Sequence, residues 1–267
     1  MIPTVLEQPA RLPVPLVLTT SPYEIERLPW SAPWTWIGQG WRDLRAHPFT
    51  SLFYGLPFWC MALVLHAVFH TEPEYAMALV SGCMLVGPFV AMGLYDSSRR
   101  REYGMNSEFL GSLTCWKARG KSMGMLTGLL IVLVLLWGRA SLVVTALFFN
   151  TIVPADFNVI EAAFAAGNWE FLAAYATVGG VFASLAFTAL VVAIPMILDR
   201  DADAISAAIT SVQVVLKNTR VMMLWGVLIV TLVGASVLLP FALGLTITGP
   251  LLGHATWHAY RQSIRWL

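Results

Sequence analysis

The chain has 267 residues, of which 58% are hydrophobic and only 12% charged, and its net charge is +1. A soluble globular domain carries roughly twice that charged share, which excludes an ordinary water-soluble enzyme. The charges are also uneven along the chain, and no basic stretch has the extent of a nucleic-acid footprint.

Residues 1–30 are expected to form a cytoplasmic, flexible tail, because they lack a basic segment leading into a long apolar core and Val14–Leu18 is too short to drive export. Insertion then falls to the first membrane span. Just before that span, Trp34, Ile37, Trp41 and Leu44 recur at helical spacing, with Gln39, Arg42, Asp43 and Arg45 on the other face. This predicts an interfacial helix, with Trp30, Trp34, Trp36 and Trp41 at the headgroup level.

A spanning helix needs about 20 mostly apolar residues at about 1.5 Å each. Six segments qualify: Ser51–His70, Tyr75–Tyr95, Ser122–Asn150, Trp169–Leu198, Val221–Leu239 and Phe241–Tyr260. Lipid leaves each backbone amide to be satisfied within its own segment, so runs of this length are helices. Cytoplasmic loops hold the excess of Lys and Arg. Arg42, Arg45, Arg99, Arg100, Arg101, Lys117, Arg119, Lys121, Arg200, Lys217, Arg220, Arg261 and Arg265 all fall on one side. The opposite loops carry only Glu72, Glu74, Asp156, Glu161 and Glu170. Both termini are therefore expected in the cytoplasm, with the chain in an inner membrane.

Two further amphipathic stripes precede the third and fifth spans, namely Phe109, Leu110, Leu113 and Trp116, and then Ile205, Ile209, Val212 and Leu216. Each stripe is followed by a break, at His47-Pro48, Gly120-Lys121 and Asn218-Thr219. An outward span and a proline-containing inward span come next, with Pro88, Pro195 and Pro250 as the prolines. The predicted fold is an all-α membrane protein whose six transmembrane helices form three repeats of one interfacial amphipathic helix plus a transmembrane hairpin. The repeats cover about 31–104, 105–203 and 204–262 of a domain over 31–262, and 263–267 form a cytoplasmic C-terminus. The pairs Gly179-Gly180 and Ala183-Ser184 suggest close helix packing in the fourth span.

His254 and His258 lie four residues apart and project from one face near the inner end of the last helix. Two imidazoles so placed bind a divalent metal if carboxylates complete the shell, and Asp96, Asp199, Asp201 and Asp203 end neighbouring helices at similar depth. More often such histidines hydrogen-bond to those aspartates or to carbonyls and glue helices together. The residues name no cofactor and leave metal binding open. His66 and His70 form a second pair on the outer side, beside Glu72 and Glu74, where solvation at the interface is the commoner role. Arg139 lies about 27 Å along the third span from Lys121, near the outer surface. It either pairs with Glu170 or Asp156 or simply anchors a long hairpin. The three cysteines lack CxxC spacing and are expected to pack as small residues.

Several stretches together resemble a known family: Pro33-Trp34 with Gly40-Trp41-Arg42-Asp43-Leu44, Gly87-Pro88 through Tyr95, Pro195-Met196 through Asp203, and Gly253-His254-Ala255-Thr256-Trp257-His258-Ala259-Tyr260-Arg261. The chain resembles the bacterial integral-membrane family catalogued as domain of unknown function 2189. That resemblance implies a membrane-spanning fold and brings no activity. No nucleophile–base pair, phosphate loop or redox motif is present, so no catalytic residue is assigned. The first functional expectation is a non-enzymatic accessory, assembly or scaffold component, whose partners are the lipid bilayer and another membrane complex, with no nucleic acid. A small-solute or ion transporter is the second, favoured by interrupted helices but opposed by the lack of a carboxylate at mid-span. A metal-dependent membrane enzyme using the His/Asp cluster is the third.

Overall fold

The computed structural model describes residues 23–71, 76–105, 109–148 and 168–267. In chain order its elements are β1 (Tyr23–Ile25), α1 (Ala32–Ala46), α2 (Pro48–Thr71), α3 (Ala76–Glu102), α4 (Phe109–Thr114), α5 (Gly120–Phe148), α6 (Trp169–Leu190), α7 (Ala193–Arg200), α8 (Ala204–Lys217), α9 (Thr219–Val237), α10 (Leu245–Ser263) and β2 (Ile264–Trp266). The architecture is all-α apart from the two-stranded antiparallel pair of β1 and β2. Among the described residues four helical segments are long and apolar enough to cross a membrane by length and composition: Pro48–Val68, Phe109–Phe148, Trp169–Arg200 and Thr219–Val237.

Local chemistry sets the boundaries. Proline disfavours a helical residue before it, so α1 stops short of His47 and α2 begins at Pro48. Asn218 separates α8 from α9 in a non-helical conformation. Between α4 and α5 the predicted break shifts: Gly120 is itself helical, and the interruption is the tight 3-10 turn Lys117–Arg119 just before it. Pro195 cannot donate to the residue four before it, and the helix breaks at Val191-Val192 between α6 and α7. Ser211 of α8 repairs that break by donating to the Thr188 carbonyl at 2.7 Å and accepting from the Val192 N–H at 3.2 Å. An interrupted helix in lipid needs such a substitute partner.

The core lies at the end of the bundle that carries the chain termini, where α1, α7, α9 and α10 meet around Trp36, Ile197, Met222, Trp225, Trp257 and Tyr260. There α1 packs along α10, and Gly40 makes this possible: a Cβ on it would sit 2.8 Å from the Ala255 nitrogen and from the Leu251 carbonyl oxygen. At Gly55, likewise, α2 approaches α10 so closely that a Cβ would overlap the Thr246 backbone. Gly179 and Gly180, where close packing was expected, meet no backbone within 4 Å. Trp36 also departs from the headgroup expectation. It is fully buried, donates to Gln262 Oε1 at 2.6 Å and stands edge-on to Trp225, whereas Trp30, Trp34 and Trp41 are exposed.

The segment expected to be a free tail is tied down from residue 23 onward; residues 1–22 lie outside the described residues. Tyr23 pairs with Trp266 and its hydroxyl meets Thr210 at 2.6 Å, Asn218 bonds both the Leu28 N–H and the Glu26 carbonyl, and Lys217 donates to the Ile25 carbonyl. Residues 264–266 belong to that same clasp.

Candidate functional site

Along α1 the buried residues Trp36, Gly40, Asp43 and Leu44 share one helical face. The close α1–α10 contact at Gly40 therefore carries Asp43 into the bundle, one turn from the end of α1. Its Oδ2 accepts from Ser98 Oγ of α3 at 2.5 Å and from His258 Nε2 of α10 at 2.8 Å, and its Oδ1 pairs with Arg101. Ser98 Oγ also lies 2.8 Å from His254 Nδ1, and His254 Nε2 lies 2.9 Å from Ser51 Oγ of α2. Four helices are thus joined by one hydrogen-bonded chain.

The directions of these bonds follow from valence. An ionised Asp43 only accepts, so Ser98 gives its one hydrogen to Asp43 and must accept from His254 Nδ1–H. A neutral His254 then carries its proton on Nδ1, and its bare Nε2 accepts from the Ser51 hydroxyl. His254 is fully buried, while the His258 side chain is 15% exposed. Burial works against the Asp43 carboxylate, but the hydrogen bonds from His258 and Ser98 outweigh it and hold its pKa below the ordinary 3.8. Ser98 is no nucleophile in this arrangement. It is buried, its hydrogen is engaged by Asp43, and that carboxylate orients the serine instead of the histidine. The arrangement is a polar clamp beside a cavity of about 240 Å³, lined by Gln39, Arg42, Asp43, Ser98, Arg101, Glu102 and His258.

The expected partners of the histidines go elsewhere. Asp96 is fully buried and receives Arg99 at 2.6 Å and Arg100 at 2.7 Å. Asp199 accepts from the Tyr260 hydroxyl at 2.8 Å and from Tyr103 at 3.2 Å, with Arg200 and Arg261 nearby. Asp203 is exposed and caps α8, and hydrogen bonds from the Ser206 side chain and then from its amide lower its pKa. Asp201 lies 3.7 Å from Arg119. So His254 and His258 are brought together with Asp43, and not with Asp96, Asp199 or Asp203. Among the described residues no group of three or more His, Cys, Asp or Glu is placed to hold a metal ion. A second knot stands beside the clamp, where Glu102 accepts from Trp257 Nε1 at 2.9 Å and from Arg261 Nε at 2.8 Å.

At the other end of the bundle Arg139 and Glu170 are both exposed and are not joined to each other. Asp156, Glu72 and Glu74 lie outside the described residues, as does the side chain of His70, and His66 is exposed. Asp43, Ser98, Ser51 and Arg101 were not singled out from the sequence as site residues. The available signal for Asp43 was its register, seven residues after Trp36 and three after Gly40.

No curated protein and no solved structure matches the chain. A family model described as predicted integral membrane protein (DUF2189) matches residues 76–199, from the start of α3 to the end of α7. Those residues include Asp96, Ser98 and Arg101 of the clamp region and the interrupted helix at Pro195, and over them the chain is similar to that family of predicted integral membrane proteins.

Proposed function

We propose that this is a non-enzymatic accessory protein of a bacterial inner membrane, which crosses the bilayer six times in three units and uses its surface helices as a platform for lipid or for a membrane complex. The observation that carries this reading is the exposed apolar side of α1, α4 and α8: Trp34 and Trp41, then Leu110, Leu113 and Trp116, then Ile205, Ile209 and Leu216. In α8 Ala204, Ala207, Thr210, Ser211, Val214 and Val215 lie against the protein, while Ile205, Ile209 and Leu216 face outward. A helix that turns its most apolar face away from its own core, beside Arg45, Lys117, Arg119 and Lys217, has the form of an interfacial anchor.

The two further crossings in this reading are α3 and α10. The charges of α3 are confined to its last turns from Asp96 to Glu102, and α10 bears only Arg261. With the one-sided distribution of Lys and Arg, this supports cytoplasmic termini. Reporters fused at Gly104, Ser206 and Leu267 should then signal from the cytoplasm, and those at Glu74, Asn158 and Leu239 from the periplasm; a cytoplasmic signal at Asn158 would overturn the six-span arrangement. Photo-crosslinking amino acids placed at Trp34, Leu110 and Ile209 in cells should capture phospholipid or one recurrent protein from all three positions. Yields no higher than from a probe at the buried Trp225 would overturn the platform.

A further inference from the structure

The membrane-crossing helices do not close on each other. Between α2, α3, α5, α6, α9 and α10 lies a cavity of about 580 Å³ whose walls are almost wholly apolar. It extends along α3 from Val80 to Tyr95 and along α10 from Leu245 to Thr256, about 22 Å and 16 Å at the helical rise. One leaflet of hydrocarbon is about half of 30 Å deep, so the cavity is at least as deep as a single acyl layer. Its volume is nearly four times that of a cavity of about 150 Å³ that takes up benzene, leaving room for well over a dozen carbon atoms.

Its floor lies near Tyr95 and Thr256, on the side of the Asp43–His254 network, and Thr256 turns its hydroxyl to the Leu252 carbonyl at 2.7 Å. Ordered water needs two to four polar partners, and these walls supply too few. Empty volume is costly in proportion to its size, and the bilayer around the bundle is a reservoir of apolar chains. The Gly87-Pro88 step widens the space, because a Cβ on Gly87 would meet nothing within 4 Å.

We propose that this cavity is a binding site for one acyl chain of a membrane phospholipid, entering from the end away from the His254 network. The site rests on the interior packing and is independent of the surface helices.

The test uses the full chain in vesicles of phosphatidylethanolamine and phosphatidylglycerol that contain phosphatidylglycerol with a diazirine at mid-chain. Photolabelling should concentrate on the α3 and α10 peptides that line the cavity. Gly87→Leu puts a side chain into the space from a position where a Cβ meets nothing within 4 Å, and should cut that labelling about tenfold. Gly82→Leu, on the same helix but outside the cavity, should leave it unchanged. If Gly87→Leu fails to fold, Ala62→Phe from the α2 wall carries the same expectation. Equal labelling in the wild type and the filled variants would overturn the site, as would labelling no stronger than on the exposed faces of α5 and α9. Recovery of a quinone or a free fatty acid in the cavity by native mass spectrometry would overturn the phospholipid assignment.

Discussion

Asp43 is the residue on which the clamp depends, since Ser98, His258 and Arg101 all direct hydrogen at its two oxygens. Removing it leaves buried donors without an acceptor, at a cost of about 1–3 kcal/mol. Asp43→Ala should therefore lower stability in detergent by about that amount, more than His258→Ala, whose side chain is partly exposed. The pH dependence follows the same carboxylate. Its folded-state pKa lies below the ordinary 3.8, so its contribution is complete above that pH and fades as pH falls toward the folded value. The unfolding temperature of the wild type should drop below about pH 4, and that of Asp43→Asn should drop less. Equal slopes would assign the acid sensitivity to other groups.

Among the elements, α1 departs most from a simple surface anchor, because one side carries exposed Trp34 and Trp41 while the other is locked to α10 through Gly40. Gly40→Ala puts a methyl 2.8 Å from two backbone atoms that cannot yield, and should cost about 1–3 kcal/mol. Gly38→Ala, on the same helix with open space around it, should gain about 0.5–1 kcal/mol from helix propensity. If the two variants melt alike, the close α1–α10 approach is not what holds α1 in place. The break between α6 and α7 offers a parallel comparison. Ser211→Ala would strand the Val192 amide and should destabilise by about 1–3 kcal/mol, whereas Ser184→Ala, whose hydroxyl only bonds its own helix at Gly180, should cost little.

At the scale of the whole molecule, residues 23–28 and 264–266 close over the core through β1 and β2, and Asn218 is the pin. It bonds the Leu28 N–H at 2.8 Å and the Glu26 carbonyl at 2.9 Å, and it is buried. Asn218→Ala should speed proteolysis between residues 23 and 31 and lower stability by about 1–3 kcal/mol. Arg265→Ala breaks the ion pairs to Glu24 and Glu26, but these are exposed and contribute little, so the cleavage rate should hold. The reverse order of sensitivity would place the strength of the clasp in its charges.

The helical membrane-protein class was decided by the sequence alone, because hydrocarbon demands long uncharged runs with internally satisfied backbones, and such runs are visible without any knowledge of neighbours. The breaks at His47-Pro48 and Asn218 were legible for a similar reason, since proline and asparagine act on the adjacent backbone. Even His254 and His258 could be paired from their spacing on one helix. What they bond to was a matter of tertiary structure. Asp96, Asp199 and Asp203 were near at hand by depth, yet local arginines, tyrosines and a helix N-terminus take them, while Asp43 reaches His258 from 215 positions away because Gly40 lets α1 lie against α10. The cavity was hidden in the same way: Gly87-Pro88 is plain in the chain, but the space it leaves exists only once six helices surround it. Periodicity reports the face that a residue occupies, and only packing decides what that face meets.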